Sequence, residues 1–158
     1  MALSHLGEDG RAKMVDVSEK ETTRRRAVAT SRISMNEETL RLIQAGETGK
    51  GDVLAVAQVA GVQAAKRTWE LIPMCHPIPL TGVDLAFTIE QSPPAIVIVA
   101  TVTATYVTGV EMEALIAASV AALTIYDMCK SAQKDMIIGD TFLLEKTGGK
   151  TGGYRRDI

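Results

Sequence analysis

The sequence has 158 residues, about the size of one ordinary domain, and its hydrophobic fraction of 46% is large enough to form a core. Aromatic residues make up only 4%, so that core must be built from aliphatic side chains and methionine. The net charge of −2 argues against a general nucleic-acid-binding protein, which would present a strongly basic face, and we expect no nucleic-acid partner.

The N-terminal part is predicted to contain a strand and a short helix. A loose arm over about residues 1–12 precedes residues 24–35, whose β-branched content is typical of a strand. Asn36 is placed to cap a helix over residues 37–43, which Gly46 is expected to end.

A glycine-rich loop and a long apolar helix follow. Asp52 is placed to cap a helix that runs from residue 53 to about residue 71. That helix is apolar on nearly every side, and a helix of this kind must be buried on more than one side. In a chain of this size, the pattern predicts a subunit interface.

A proline-fixed loop then leads into a hairpin. Three prolines in residues 72–79 exclude a regular helix or a central strand and indicate a rigid extended loop. Residues 83–90 and 95–106 alternate in hydrophobicity, and the prolines at 93 and 94 mark a turn between them. Together these segments predict an antiparallel hairpin.

The last part is predicted to hold a second long helix, a strand and a tail. Alanine dominates residues 111–134, which favours a helix, and residues 137–145 resemble a closing strand. Residues 147–158 are glycine-rich and are expected to be flexible. The order of elements predicts one α+β domain over residues 1–158, with a ferredoxin-like antiparallel sheet and two long helices packed on one face.

The spacing of the cysteines and the hydropathy of the chain predict the cellular location of the protein. Cys75 and Cys129 form no C-x-x-C pair, which excludes zinc-ribbon and thioredoxin-like sites and favours free thiols in a reducing compartment. The most apolar run, residues 114–126, is shorter than the roughly 20 residues of a membrane span. We therefore expect a cytoplasmic protein without a membrane partner.

The second long helix carries charges on one stripe. At 100° per residue, Glu113 and Asp127 lie within about 40° of each other, and Lys130 and Lys134 follow on the same side. Asp127 and Lys130 are spaced to touch, so the carboxylate can hold the lysine charged as a general acid. The alternative is a surface ion pair of little energetic consequence.

Other candidate residues lie in loops. His76 stands in the proline-fixed loop beside Cys75, and because neighbours in an extended chain point to opposite sides, a Cys–His nucleophile pair is rejected. Lys50 opens a helix, where an anion can bind, although no P-loop is present. Lys50, Lys130 and the pair Lys146 and Lys150 would suit a polyphosphate if they converge in space. No zinc-ligand spacing occurs, so no metal site is expected.

Several long strings resemble one family. Residues 71–77 (LIPMCHP), 108–115 (TGVEMEAL) and 118–130 (ASVAALTIYDMCK) are similar to signature segments of molybdenum-cofactor biosynthesis protein C. Residues 14–18, 134–136 and 146–150 match the same family. The resemblance covers nearly the whole chain.

The resemblance implies a fold, an assembly and a reaction. The family has a ferredoxin-like subunit and forms a homohexamer, a trimer of dimers, with sites at subunit interfaces. It acts as a lyase that converts 3′,8-cyclo-7,8-dihydroguanosine 5′-triphosphate, supplied by an upstream radical cyclase, into cyclic pyranopterin monophosphate and pyrophosphate. No cofactor is implied, although Mg²⁺ can accompany the triphosphate.

The resemblance also implies residue roles. Asp127, Lys130 and Lys50 correspond to catalytic positions. The positions that correspond to the substrate site are Met74, Cys75, His76, Glu111, Met112, Glu113 and Lys146. Two other functions stay open from the residues alone: a non-catalytic purine-nucleotide-binding module, and a metal-dependent hydrolase that uses His76.

Overall fold

One antiparallel sheet, covered on one face by helices, forms the framework. The computed structural model describes residues 5–150 and 152–157. In this part of the chain the elements are, in order, β1 (Thr23–Ser34), α1 (Glu37–Ala45), α2 (Val53–Lys66), α3 (Thr68–Leu71), β2 (Leu80–Gln91), β3 (Pro94–Tyr106), α4 (Glu111–Cys129), β4 (Ile137–Thr147) and β5 (Tyr154–Arg155). The sheet order is β2-β3-β1-β4-β5, and every pairing is antiparallel. This arrangement confirms the predicted α+β, ferredoxin-like fold.

The core lies between the sheet and α4. Helix α4 packs on β1, β3 and β4, and α2 packs on α4 and β2. The inner face of α4 is made of fully buried alanines, among them Ala114, Ala118 and Ala121. Because these side chains are small, the helix lies close to the large aliphatic residues of the sheet, such as Ile96 and Ile98. The two long helices therefore share one face, as predicted.

Helix α4 is apolar enough to resemble a membrane span. Its 18-residue window has a mean hydropathy of 1.5, but half of that window is buried inside the fold. The buried half of α4 packs against the sheet and α2, as in the core helix of a globular domain.

Both predicted N-caps are confirmed. Asn36 Oδ1 accepts a hydrogen bond from the Thr39 amide at 2.8 Å, and Asp52 Oδ1 accepts one from the Ala55 amide at 3.0 Å. These bonds satisfy amide groups that have no partner within the first turn of a helix. The caps fix where α1 and α2 begin, and with them the loop that carries Lys50.

Both long helices end earlier than predicted. Helix α2 stops at Lys66 because Arg67 has a non-helical backbone, and the Thr68 hydroxyl then donates to the carbonyls of the preceding turn. Helix α4 ends at Cys129, whose carbonyl accepts from two amides of a tightened turn at 2.9 and 3.1 Å. The prediction that Lys134 continues the charged stripe of α4 is therefore wrong.

The two chain ends are more ordered than expected. In the arm, Leu6 pairs with Ala12 in a small antiparallel bridge. In the tail, Tyr154–Arg155 forms β5, which pairs with Lys146 and Glu145 of β4, so the prediction of a wholly flexible tail is wrong. Residues 1–4, 151 and 158 of these segments lie outside the described residues.

Candidate active site

A cavity lies where the proline-fixed loop meets the start of α4. Its volume is about 330 Å³. The lining residues are His5, Val15, Val17, Lys20, Met74, Cys75, His76, Ile78, Thr108, Gly109, Glu111, Met112 and Glu113. Six of the seven predicted substrate-site residues are therefore brought together here, and this cavity is called the ring cavity below.

The N-terminal arm fixes the orientation of His76. Its Nε2 lies 2.7 Å from the carbonyl oxygen of Val15. A carbonyl only accepts, so Nε2 carries the proton and donates this bond, which leaves Nδ1 of a neutral ring as an acceptor. Cys75 also lines the ring cavity.

Glu113 is the buried ionisable group of the ring cavity. Only 4% of its surface is exposed. Burial raises the pKa of its carboxyl to about 7, and the nearby charge of Glu111 acts in the same direction. Burial also raises the pKa of the Cys75 thiol, with Glu113 adding to the effect, so Cys75 is not an activated nucleophile. At neutral pH Glu113 can exchange a proton with a bound ligand.

A second cavity of about 640 Å³ adjoins the first. The lining residues are Asp16, Glu19, Lys20, Glu21, Thr23, Arg25, Val107, Thr108, Gly109, Glu111, Lys146, Gly149 and Lys150. Lys20, Thr108, Gly109 and Glu111 line both cavities, so the two spaces are adjacent. This second space is called the basic cavity, because it gathers the side chains of Lys20, Arg25, Lys146 and Lys150.

Glu111 lines both cavities and forms an ion pair with Lys146. Lys146 Nζ donates to Glu111 Oε1 at 2.6 Å, and both side chains are about one-third exposed or less. The pair holds the end of β4 against the first turn of α4. Four carboxylates also line the basic cavity and equal its four cationic side chains in number; they belong to Asp16, Glu19, Glu21 and Glu111.

The predicted catalytic residues form a separate cluster at the other end of α4. Lys130 Nζ lies 2.6 Å from Asp127 Oδ1, and Lys50 Nζ lies 3.8 Å from Asp127 Oδ2. Lys50 also donates to the Asp127 main-chain carbonyl at 2.9 Å. The hydrogen bond from Lys130, together with both positive charges, lowers the pKa of Asp127, and the same bond raises the pKa of Lys130. The carboxylate is thus held ionised between two ammonium groups.

One subunit does not unite the two groups of residues. Glu113 and Asp127 are 14 positions apart in α4, which corresponds to about 21 Å along the axis. Lys146 and Lys150 lie with the ring and basic cavities, whereas Lys50 and Lys130 lie at the far end. The condition that all these lysines converge is therefore not met within one copy of the chain.

No metal site is evident in residues 5–150 and 152–157. No group of three or more His, Cys, Asp or Glu side chains is placed there to hold an ion. The side chains that line the two cavities are themselves able to transfer protons and to stabilise charge.

Comparison with known proteins assigns the family. The MoaC family model matches residues 14–149, which include the Asp127 cluster and all the residues that line the two cavities except His5 and Lys150. The chain belongs to the MoaC family. The match confirms the resemblance seen in the sequence, and it places every predicted site residue of this MoaC protein inside the matched region.

Curated relatives cover the chain from end to end. A cyclic pyranopterin monophosphate synthase of Brevibacillus brevis is 62% identical over 98% of this MoaC chain and 96% of its own. Proteins with the same name from Thermoanaerobacter sp. and Bacillus subtilis are 56% identical, over 100% and 98% of this chain and 100% and 92% of their own.

Sequence reasoning missed several residues of the site. Val15 lies within the recognised string at residues 14–18, and Lys20 and Arg25 follow it closely, but none of the three was assigned a role in the site. Their only local signal was a run of basic residues at 24–26 and a short apolar run in the arm. Neither pattern indicates which cavity the side chains reach, because that depends on how the arm crosses the start of α4.

Proposed function

We propose that this MoaC-family chain is a cyclic pyranopterin monophosphate synthase. It converts 3′,8-cyclo-7,8-dihydroguanosine 5′-triphosphate into cyclic pyranopterin monophosphate and pyrophosphate, a lyase reaction of molybdenum-cofactor biosynthesis. The observation that carries the proposal is that a cavity holding the buried Glu113 carboxyl adjoins one that gathers four lysine and arginine side chains. A nucleotide-derived substrate needs both, one for its ring system and one for its phosphates.

The ring cavity suits the rearrangement of the substrate's purine-derived ring system. Opening one ring and closing another moves protons between nitrogen, carbon and oxygen. His76 is held in place by its Nε2 contact with Val15, and Glu113, with a pKa of about 7, can give or take a proton at physiological pH. Met74, Cys75 and Met112 supply a soft, largely apolar wall for a planar heterocycle.

The basic cavity suits the triphosphate. Closing the cyclic phosphate expels pyrophosphate, and ammonium or guanidinium groups stabilise the charge that develops on the leaving group. Lys146 is already aligned by Glu111 at 2.6 Å, and Lys20, Arg25 and Lys150 line the same space. Mg²⁺ can accompany the triphosphate, but no step is assigned to it and no other cofactor is proposed.

The Asp127 cluster supplies the third component. Its ionised carboxylate is a base or an orienting group, and the Lys130 ammonium is a proton donor. Lys50 adds a second ammonium beside the same carboxylate. Because one copy holds this cluster about 21 Å from Glu113, we propose that it faces the cavities of a second copy.

Exposed apolar side chains support assembly. Val59 of α2 is 60% exposed and Leu123 of α4 is 56% exposed, one turn before Asp127. Val56 and Trp69 add to the apolar surface of the helical layer. A homohexamer built as a trimer of dimers would cover this surface and complete the sites between copies. A cytoplasmic location and a functional link to the upstream radical cyclase belong to the same proposal.

The reaction is tested by incubating the protein with the cyclic triphosphate precursor. Stoichiometric release of pyrophosphate, with formation of the pterin product, is the expected result. Tight binding of the precursor without pyrophosphate release would indicate a non-catalytic nucleotide-binding module instead. Activity that disappears on chelation, together with stoichiometric bound metal, would indicate a metal-dependent hydrolase that uses His76.

Sharing of the site between copies is tested by subunit complementation. Two differently tagged chains, His76→Ala and Lys130→Ala, are co-expressed, and oligomers that contain both are purified. Each variant alone is expected to be inactive, and the mixed oligomer is expected to recover activity because some sites take both wild-type halves. The matched control pairs His76→Ala with Glu113→Ala, which lie in the same cavity, and should recover nothing. Equal results for the two pairs would overturn the shared site.

A further inference from the structure

Gly148 and Gly149, directly after β4, lie against Arg25. Gly148 and Gly149 both have positive φ (97° and 84°), and a Cβ on Gly149 would lie 2.0 Å from Arg25 Nη1. Arg25 is itself fixed by donating to the carbonyls of Tyr106 and Val107 at 3.2 and 3.1 Å. The glycines therefore let the main chain pass directly over the guanidinium and bring Lys150 to the basic cavity.

Arg156, the residue directly after β5, contacts β4. Its amide donates to the Leu144 carbonyl at 2.8 Å, and its Nε donates to the Leu143 carbonyl at 3.3 Å. Its guanidinium also lies over the Phe142 ring, 4.6 Å from the centroid. Through its amide and its side chain, Arg156 thus contacts residues 142–144 of β4, which lie just before Lys146.

From these contacts we infer that Arg156 is a positioning residue for the phosphate end of the ligand. Its contacts hold β5 on β4, on the C-terminal side of the Gly148–Lys150 segment, and so limit the conformations open to Lys150. Without the Arg156 side chain, only the main-chain pairing of β5 with β4 holds that side, and ordering the looser segment on the ligand costs more conformational entropy at each binding event. The ligand class is a polyphosphate, so the inference rests on the proposed function for its biological meaning.

The position of β5 separates this role from fold stability. Strand β5 is a two-residue edge strand, and both of its residues are exposed. It contributes nothing to the core between the sheet and α4. Loss of the Arg156 side chain is therefore expected to loosen the loop while the domain stays folded.

The test measures binding of sodium tripolyphosphate by calorimetry in full-length variants, so it does not depend on turnover. Arg156→Ala is expected to weaken binding about tenfold, and Arg156→Lys, which keeps the charge over Phe142, to lie between this variant and wild type. The matched control is Arg155→Ala, which removes the same charge from the adjacent exposed residue of β5. It should change binding less than twofold.

Turnover of the precursor adds an independent readout. A raised KM with little change in kcat is expected for Arg156→Ala, because the reacting groups are untouched. Equal weakening by Arg155→Ala and Arg156→Ala would show a general charge effect and overturn the positioning role, as would wild-type binding by Arg156→Ala. Wild-type protein that binds tripolyphosphate without turnover would instead count against the proposed function alone.

Discussion

Asp127 Oδ1 lies 2.6 Å from Lys130 Nζ, one helical turn away at the end of α4, and the two side chains are more than half exposed. An exposed ion pair of this kind contributes little to folding. Its effect is chemical, because the contact lowers the pKa of the carboxyl and raises the pKa of the amine. Each group is thereby kept charged across the physiological range.

Removing the amine should therefore affect catalysis and not folding. Lys130→Ala is expected to lower kcat by about 10²- to 10⁴-fold, the usual contribution of a positioned proton donor, with an unchanged melting temperature. Lys134→Ala is the matched control, since Lys134 lies beyond the end of α4 and should keep wild-type kcat. Release of pyrophosphate measures the rate, and comparable losses for the two variants would refute the role of Lys130.

Glu113 should make stability depend on pH. Its pKa is about 7 in the folded chain and 4.5 when unperturbed. Below pH 4.5 the carboxyl is neutral in both states, but between these values the unfolded chain ionises first and binds fewer protons, so the free energy of unfolding falls as pH rises. Above about pH 7 the loss is complete and amounts to at most about 3 kcal/mol.

Glu113→Gln should remove this dependence. Denaturant unfolding is expected to show a more stable variant at pH 8 and nearly equal stability at pH 4.5. Glu38→Gln, which changes an exposed carboxylate of α1, should be indistinguishable from wild type at both pH values. A Glu113→Gln variant that is less stable than wild type at pH 8 would contradict the burial argument.

The fold was predictable because local signals agreed with one another. Asn36 and Asp52 mark helix starts, and the alternating residues of β2 and β3 mark the hairpin. Helix ends were less predictable because they depend on non-local contacts. The Asn36 amide, for example, donates to Gln133 Oε1 at 2.8 Å and ties the chain after α4 to the start of α1. Composition alone does not reveal such a contact.

The site was only partly predictable, for a geometric reason. Residues that share a motif, such as Cys75 and His76, stay together in the fold, and so do neighbours on one helical turn. Helical periodicity places Glu113 and Asp127 on the same side of α4 but does not bring them close along the helix axis. Their separation of 14 positions corresponds to about 21 Å along that axis. Whether distant groups cooperate depends on assembly, which a single chain does not specify.

Gly61 marks the closest approach of α2 to its neighbours. A Cβ there would lie 2.5 Å from Leu85 Cδ2 and 3.0 Å from the Ala117 carbonyl oxygen of α4. Alanine is the better helix former by about 1 kcal/mol, but overpacking costs about 1–3 kcal/mol. Gly61→Ala is therefore expected to lower the free energy of unfolding in denaturant titrations. An increase of about 1 kcal/mol in the free energy of unfolding, the full gain in helix propensity, would show that α2 and α4 can move apart without an energetic cost.

The apolar face of α2 offers a direct test of assembly. Val56 and Val59 are 44% and 60% exposed and lie on one stripe of the helix, where a charge would be solvated in a single copy but buried between copies. Val59→Lys is expected to reduce the mass observed by sedimentation and to lower turnover at low protein concentration, because sites shared between copies separate. Gln58→Lys introduces the same charge about 100° around the helix, and assembly should persist. Full-sized oligomers of Val59→Lys would place the contact between copies on another surface and leave the exposed valines without a role in assembly.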